Sequence, residues 1–229
     1  MLKELIDQYY LNSRKDKEQT HFYITDAGKC PRAIFFKFKN VPKEEMDARM
    51  LRLFDRGDYL QMQILNSLFS MGVVRASEIK IPPQEIISGR ADAIVTLNNE
   101  LYVVDFKSMN SLIFKKLTEP KEENINQLQL YMHFFQIPRG ILLYISKDDL
   151  ALKDFVVKYN KIKAEKLLKD LSNLKIKIDN DIIPSVEVLE NNKNNWQCRY
   201  CQFKDICKLA GRPDVSWQSF KEKIRLLER

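Results

Sequence analysis

Residues 86–108 read IISGRADAIVTLNNELYVVDFKS. Two apolar, alternating runs flank Asn98-Asn99, and asparagine tolerates the positive φ that a two-residue hairpin turn requires. Pairing Leu97 with Glu100 sets the register and puts Asp92 directly opposite Asp105. Facing side chains on adjacent strands share one face of the sheet, with Cβ atoms about 4.5–5.5 Å apart. Two carboxylates so placed repel each other, and a cation between them removes that cost; hard divalent ions such as Mg²⁺ take carboxylate oxygens. Asp105 and Lys107 are two apart on one strand and share that face as well. The segment is therefore expected to gather two acids and one ammonium. A metal there polarises a phosphoryl oxygen and acidifies bound water, and the lysine orients that water or stabilises charge on the phosphate. Taken singly, each aspartate also reads as a solvated strand residue. Asp105 argues against this, because it interrupts an apolar run (LYVVDF) and an unpaired acid in a buried strand costs free energy.

Working outward, residues 2–12 predict a short helix. Thr25 or Asp26 is the expected cap of the next, which carries Ala33, Ile34, Phe35, Phe36 and Phe38. Residues 44–70 hold a long helical pattern that Gly57 is expected to bend or interrupt. Strand-like texture follows at 74–81, 86–96 and 100–107, then a helix at 123–136, strands at 140–147 and 152–159, and a charged helix over 161–180. This order predicts an α/β sandwich, a mixed central sheet flanked by helices.

The chain has 229 residues, enough for one packed domain with a small appendage. At 45% hydrophobic and 30% charged it reads as globular rather than disordered. The N-terminus has no uninterrupted apolar segment and no cleavage pattern, and no apolar run approaches a membrane span, so the expectation is a cytoplasmic protein with no membrane partner. A net charge of +7 leans toward anionic partners such as nucleic acid. Arg32, Lys37 and Lys39 among aromatics, and Arg90 and Lys107 beside the acids, are candidates to track a phosphate backbone, although most single lysines read as solvated surface.

On the 123–136 helix, Gln127 and Tyr131 are i,i+4 and share a face. Ile125, Leu128, Met132 and Phe135 form the neighbouring apolar stripe that would pack on the sheet, leaving the amide and phenol as a lip over the acids. Cys198, Cys201 and Cys207 form C-x2-C-x5-C, and Cys30 lies far away in GKCPR. Four cysteines in a chain expected to be cytoplasmic argue against disulfides and suit a closed zinc site or a cubane iron–sulfur cluster; spacing does not choose between them. The alternative is buried thiols packing as small hydrophobes.

G-R-A-D, a strand, and then D-F-K resembles the PD-(D/E)XK nuclease core. The resemblance makes Asp92 the first acid and Asp105, Phe106 and Lys107 the second acid, the intervening residue and the lysine. It implies a restriction-endonuclease-like core, a Mg²⁺ or Mn²⁺ ion held by Asp92, Asp105 and the Phe106 carbonyl, and a catalytic set of Asp92, Asp105, Lys107, Gln127 and Tyr131. The Q-x-x-x-Y pair after D-x-K resembles the RecB-like branch. One cysteine before the core and three after it resembles that branch's iron–sulfur nucleases, such as the AddB nuclease domain and the CRISPR-associated RecB-like exonucleases. This implies a 4Fe–4S cluster on Cys30, Cys198, Cys201 and Cys207, with zinc as the alternative occupant. It implies a single nuclease domain over 1–229, with a core at about 72–160 and cluster-binding segments at about 26–40 and 195–210 that the cluster joins. The implied activity is metal-dependent hydrolysis of DNA, as an exonuclease on single-stranded or frayed ends, in CRISPR adaptation (antiviral defence) or in recombination and repair with the proteins of those processes. Many members of the branch carry G-x-x-x-H before the core, and here Gln61 stands at the histidine position, a poorer transition-metal ligand. That departure supports a second reading, a nuclease-fold module that binds DNA or a partner and cuts poorly. Glu78 is a further acid to watch. His133 reads as a packing or surface residue.

Overall fold

The computed structural model describes residues 1–13, 18–186 and 196–227. Residue 195 of the expected 195–210 segment and the last two residues of the C-terminal helical stretch lie outside this set. In chain order the helices are α1 (Leu2–Ser13), α2 (Pro31–Phe38), α3 (Ala48–Ser70), α4 (Ser111–Lys116), α5 (Glu122–Phe135), α6 (Lys161–Asp179), α7 (Trp196–Arg199), α8 (Lys204–Ala210) and α9 (Trp217–Leu227). Besides two short pieces, Phe22–Tyr23 and Ile87–Ser88, the strands are β1 (Val74–Lys80), β2 (Arg90–Leu97), β3 (Glu100–Met109), β4 (Arg139–Ser146), β5 (Leu152–Lys158), β6 (Ile182–Ile183) and β7 (Val215–Ser216). The described residues fall into two compact units. The first draws on Met1–Asp16, Tyr23–Thr25 and Met46–Glu165, the second on Lys17–Phe22, Asp26–Glu45 and Lys166–Arg229.

The first unit holds a five-stranded sheet in which spatial order follows chain order, β1 to β5. All neighbours are antiparallel except β3 and β4, so the sheet is mixed, as expected. The β2–β3 register is Leu97 against Glu100, with Asn98 and Asn99 at φ 50° and 63°. The left-handed turn chemistry thus sets the register. On one face, Ala93, Val95, Val104, Phe106, Ile141 and Ile145 pack with Leu60 and Leu65 of α3. Period-two alternation therefore turns Asp92, Asp105 and Lys107 to the other face, where α5 lies. Leu128 of α5 sits on Gly140 of β4, where an added Cβ would stand 2.7 Å from its Cδ2.

Three local expectations change. Gly57 does not interrupt α3; it is the point of close approach to the sheet, where a Cβ would meet Ser108 Oγ at 3.0 Å. Helix α3 starts at an Asp47 cap whose carboxylate accepts from Met50 N at 2.7 Å. Helix α2 is not capped by Thr25 or Asp26, which lie in a separate 3-10 turn (Ile24–Asp26); Cys30 precedes it and Pro31 opens it, a residue suited to the first helical position.

The second unit centres on aromatic packing: Phe36 lies 5.6 Å from Phe203 and 6.3 Å from Phe220, and Phe35 lies 5.9 Å from Trp217, between ring centres. Strands β6 and β7 pair Ile182 with Ser216. Arg32 departs from its expected place on a nucleic-acid channel. It is fully buried, with its donors on main-chain carbonyls. Lys39 pairs with Asp181, and Lys37 lies 3.6 Å from Asp26.

Candidate active site

The β2–β3 ladder runs through Ala93 and Val104 and stops one pair short of Asp92 and Asp105. There β3 continues in parallel pairing with β4, and Asp92 replaces the missing main-chain acceptor, its Oδ2 accepting from Phe106 N at 2.8 Å. Phe106 thus meets the site through its backbone, while its ring packs on the α3 face. Lys107 Nζ lies 2.6 Å from Asp105 Oδ2 and donates to Gln127 Oε1 at 2.9 Å. Gln127 Nε2 reaches Tyr131 Oη at 3.5 Å, and Tyr131 donates to the Arg90 carbonyl at 2.7 Å. The five candidate catalytic residues and Phe106 are therefore brought together. Gln127 and Tyr131 are both buried, on a helix that packs against β3 and β4.

The electrostatics explain what this arrangement is built to hold. Burial, then the facing Asp105, raises the Asp92 carboxyl to about 7. Burial also raises Asp105, against the pull of Lys107. Burial pushes the Tyr131 phenol up, keeping it a neutral donor. Asp105 Oδ2 is buried, with the Lys107 ammonium 2.6 Å away. Two facing acids that resist ionisation form a set that a hard divalent cation completes.

Glu78 joins the edge of this site more firmly than its sequence position suggests. Its neighbours Ser77 and Ile79 pair with Ala93 and Ala91, which puts Glu78 in register with Asp92. It accepts from Gln61 Nε2 at 3.1 Å and pairs with Arg90 at 2.7 Å. Its φ of 52° is left-handed, a conformation that nothing in a strand-like sequence signals. His133 bonds to Tyr159 at 2.7 Å, a packing role.

In the second unit, burial raises the Cys30 and Cys201 thiols, and each also feels Cys207. Cys30 N donates to Gln197 Oε1 at 2.9 Å. Among the described residues no group of three or more His, Cys, Asp or Glu side chains is already gathered as a metal site.

Residues 27–208 match the family model of the PD-(D/E)XK nuclease superfamily. The chain is 27% identical over 205 residues to a CRISPR-associated exonuclease Cas4 of Saccharolobus solfataricus, a match covering 83% of this chain and 89% of that protein. In fold it resembles the crystal structure of SSO0001, with TM-score 0.60 and 22% identity over 90% of this chain and 96% of the other. It also resembles the alkaline exonuclease LHK-Exo of Laribacter hongkongensis, with TM-score 0.54 and 13% identity over 75% and 92%. The matched span takes in both acids, the lysine, the glutamine–tyrosine pair and all four cysteines, and the chain belongs to the PD-(D/E)XK nuclease superfamily.

Proposed function

We propose that the chain hydrolyses DNA phosphodiester bonds with Mg²⁺ or Mn²⁺, as an exonuclease on single-stranded or frayed ends. The carrying observation is the facing carboxylates of half-buried Asp92 and buried Asp105, with Lys107 2.6 Å from Asp105. Asp92, Asp105 and the Phe106 carbonyl are the residues that would hold the ion. Bound there, the ion polarises a phosphoryl oxygen and acidifies an attacking water. Lys107 places a positive charge at the same spot, where it steadies charge on the phosphate. Gln127 aims Lys107, and Tyr131 ties α5 to the Arg90 backbone beside Asp92. Cys30, Cys198, Cys201 and Cys207 hold a 4Fe–4S cluster in this reading, with zinc as the alternative. The similarity to a CRISPR-associated exonuclease supports a role in CRISPR adaptation, with recombination and repair as the competing setting. A cytoplasmic location is part of the reading; among the described residues no helix is long and apolar enough to cross a membrane.

The second reading, a module that binds DNA and cuts poorly, draws on Gln61, whose amide is engaged with Glu78. End-labelled single-stranded DNA incubated with wild type, Asp105→Ala and Lys107→Ala in Mg²⁺ and in Mn²⁺ separates the two. Shortening by wild type alone supports the enzyme; DNA that is bound and left intact by wild type sinks it.

A further inference from the structure

Arg32 lies in α2, two residues after Cys30, and its side chain is wholly buried. Nε donates to the Pro184 carbonyl at 2.7 Å, Nη1 to Gly211 at 2.5 Å and Cys207 at 3.4 Å, and Nη2 to Arg212 at 3.3 Å and Pro213 at 3.2 Å. Nη1 also stands 3.7 Å from Cys207 Sγ. These carbonyls satisfy the guanidinium's hydrogen bonds but carry no net charge. Among the described residues no carboxylate is within ion-pair distance of it. Asp214 is close enough to feel Arg32, yet its oxygens are taken by Lys177 at 2.7 Å and Ser185 N at 2.7 Å. A buried cation without a counter-charge is costly, and proteins keep one where an anion completes the environment. Among the described residues, Asp214 already spends its charge on Lys177, and the remaining group beside Arg32 that can become anionic is the cysteine set. Neutral thiols supply no charge, whereas four thiolates around zinc or a cubane leave a net negative one.

We propose that Arg32 is the buried counter-cation of the four-cysteine site: it holds the Cys207 main chain in place and offsets the charge of a metal–thiolate assembly bound there. This rests on the proposal that the cysteines hold a metal. Arg32 is a positioning residue, outside the hydrolytic site.

The test compares Arg32→Lys, which keeps the charge and loses most carbonyl bonds, with Arg32→Gln, which keeps donors and loses the charge. Iron and zinc per chain, the rate at which a chelator strips them, and the urea midpoint of the stripped protein are measured after anaerobic purification. The charge role predicts that Arg32→Gln releases metal about 10- to 100-fold faster than Arg32→Lys, the usual cost of losing an outer-shell partner, while their stripped forms unfold at similar urea concentrations. Equal release rates overturn the assignment of Arg32 and leave the metal site standing. A wild type with neither iron nor zinc overturns both. If the variants do not fold as purified, they are refolded with zinc. Recovery of Arg32→Lys at about 10- to 100-fold lower zinc supports the charge role; equal recovery, or none, overturns it.

Discussion

Replacing Asp92 by asparagine should stabilise the protein in divalent-free buffer while abolishing cleavage. The Asp92 carboxyl is raised from 3.8 to about 7 in the fold. A folded pKa above the unfolded one means that the folded chain binds the proton more tightly. The destabilisation is absent below the unfolded pKa, grows as pH rises between the two values, and is fully developed above the folded one. At about 1.4 kcal/mol per pKa unit, ionising Asp92 costs the fold roughly 2 kcal/mol at pH 5 and roughly 4 kcal/mol at pH 8. Asparagine cannot ionise, and its carbonyl oxygen still accepts from Phe106 N. Urea unfolding of both proteins should therefore show an advantage for Asp92→Asn that is about 2–3 kcal/mol larger at pH 8 than at pH 5. Added Mg²⁺ should stabilise wild type at pH 8 and leave the variant where it was. An advantage that does not change with pH, or none at all, refutes the claim that the facing carboxylates are held in strain for a cation.

Lys107→Ala should lower kcat about 100- to 1000-fold, the cost of losing a preorganised charge-stabilising donor. Gln127→Ala should lose about tenfold, because the ammonium remains and only its aim at 2.9 Å is lost; both are read from single-turnover cleavage of labelled DNA. Gly140→Ala should destabilise the first unit by about 1–3 kcal/mol in urea, since its Cβ would stand 2.7 Å from Leu128 Cδ2 and force the α5–β4 contact apart.

The hairpin was legible because its information is local: two asparagines that accept left-handed backbone, and alternation on either side. The face shared by Asp92, Asp105 and Lys107 follows from that turn and the period of a strand. Gly57 was misread because glycine's helix propensity is visible in sequence, whereas the approach of Ser108, fifty-one positions away, is not. Helix α4 was missed because six residues, SLIFKK, are too short to show a period; its signal is the Asn110 cap, whose side chain accepts from Ile113 N at 2.9 Å. The burial of Gln127 and Tyr131 was hidden because polar residues on a helix usually face water, and here each finds a partner inside. Arg32 was assigned to a surface for the same reason. Its acceptors lie 152 to 181 positions downstream, and nothing near GKCPR announces them.

The anchoring of Asp92 to the backbone has an evolutionary consequence. Its carboxylate must land on the Phe106 N–H at 2.8 Å. A glutamate at 92 would carry that carboxylate one carbon further and overshoot, so length is fixed at this position. Among the described residues no main-chain N–H donates to Asp105, so a longer acid there loses no such anchor. Drift along a lineage should therefore leave the first acid an aspartate and let the second alternate between aspartate and glutamate. That is the asymmetry written into the superfamily's name, a fixed D followed by a D or an E.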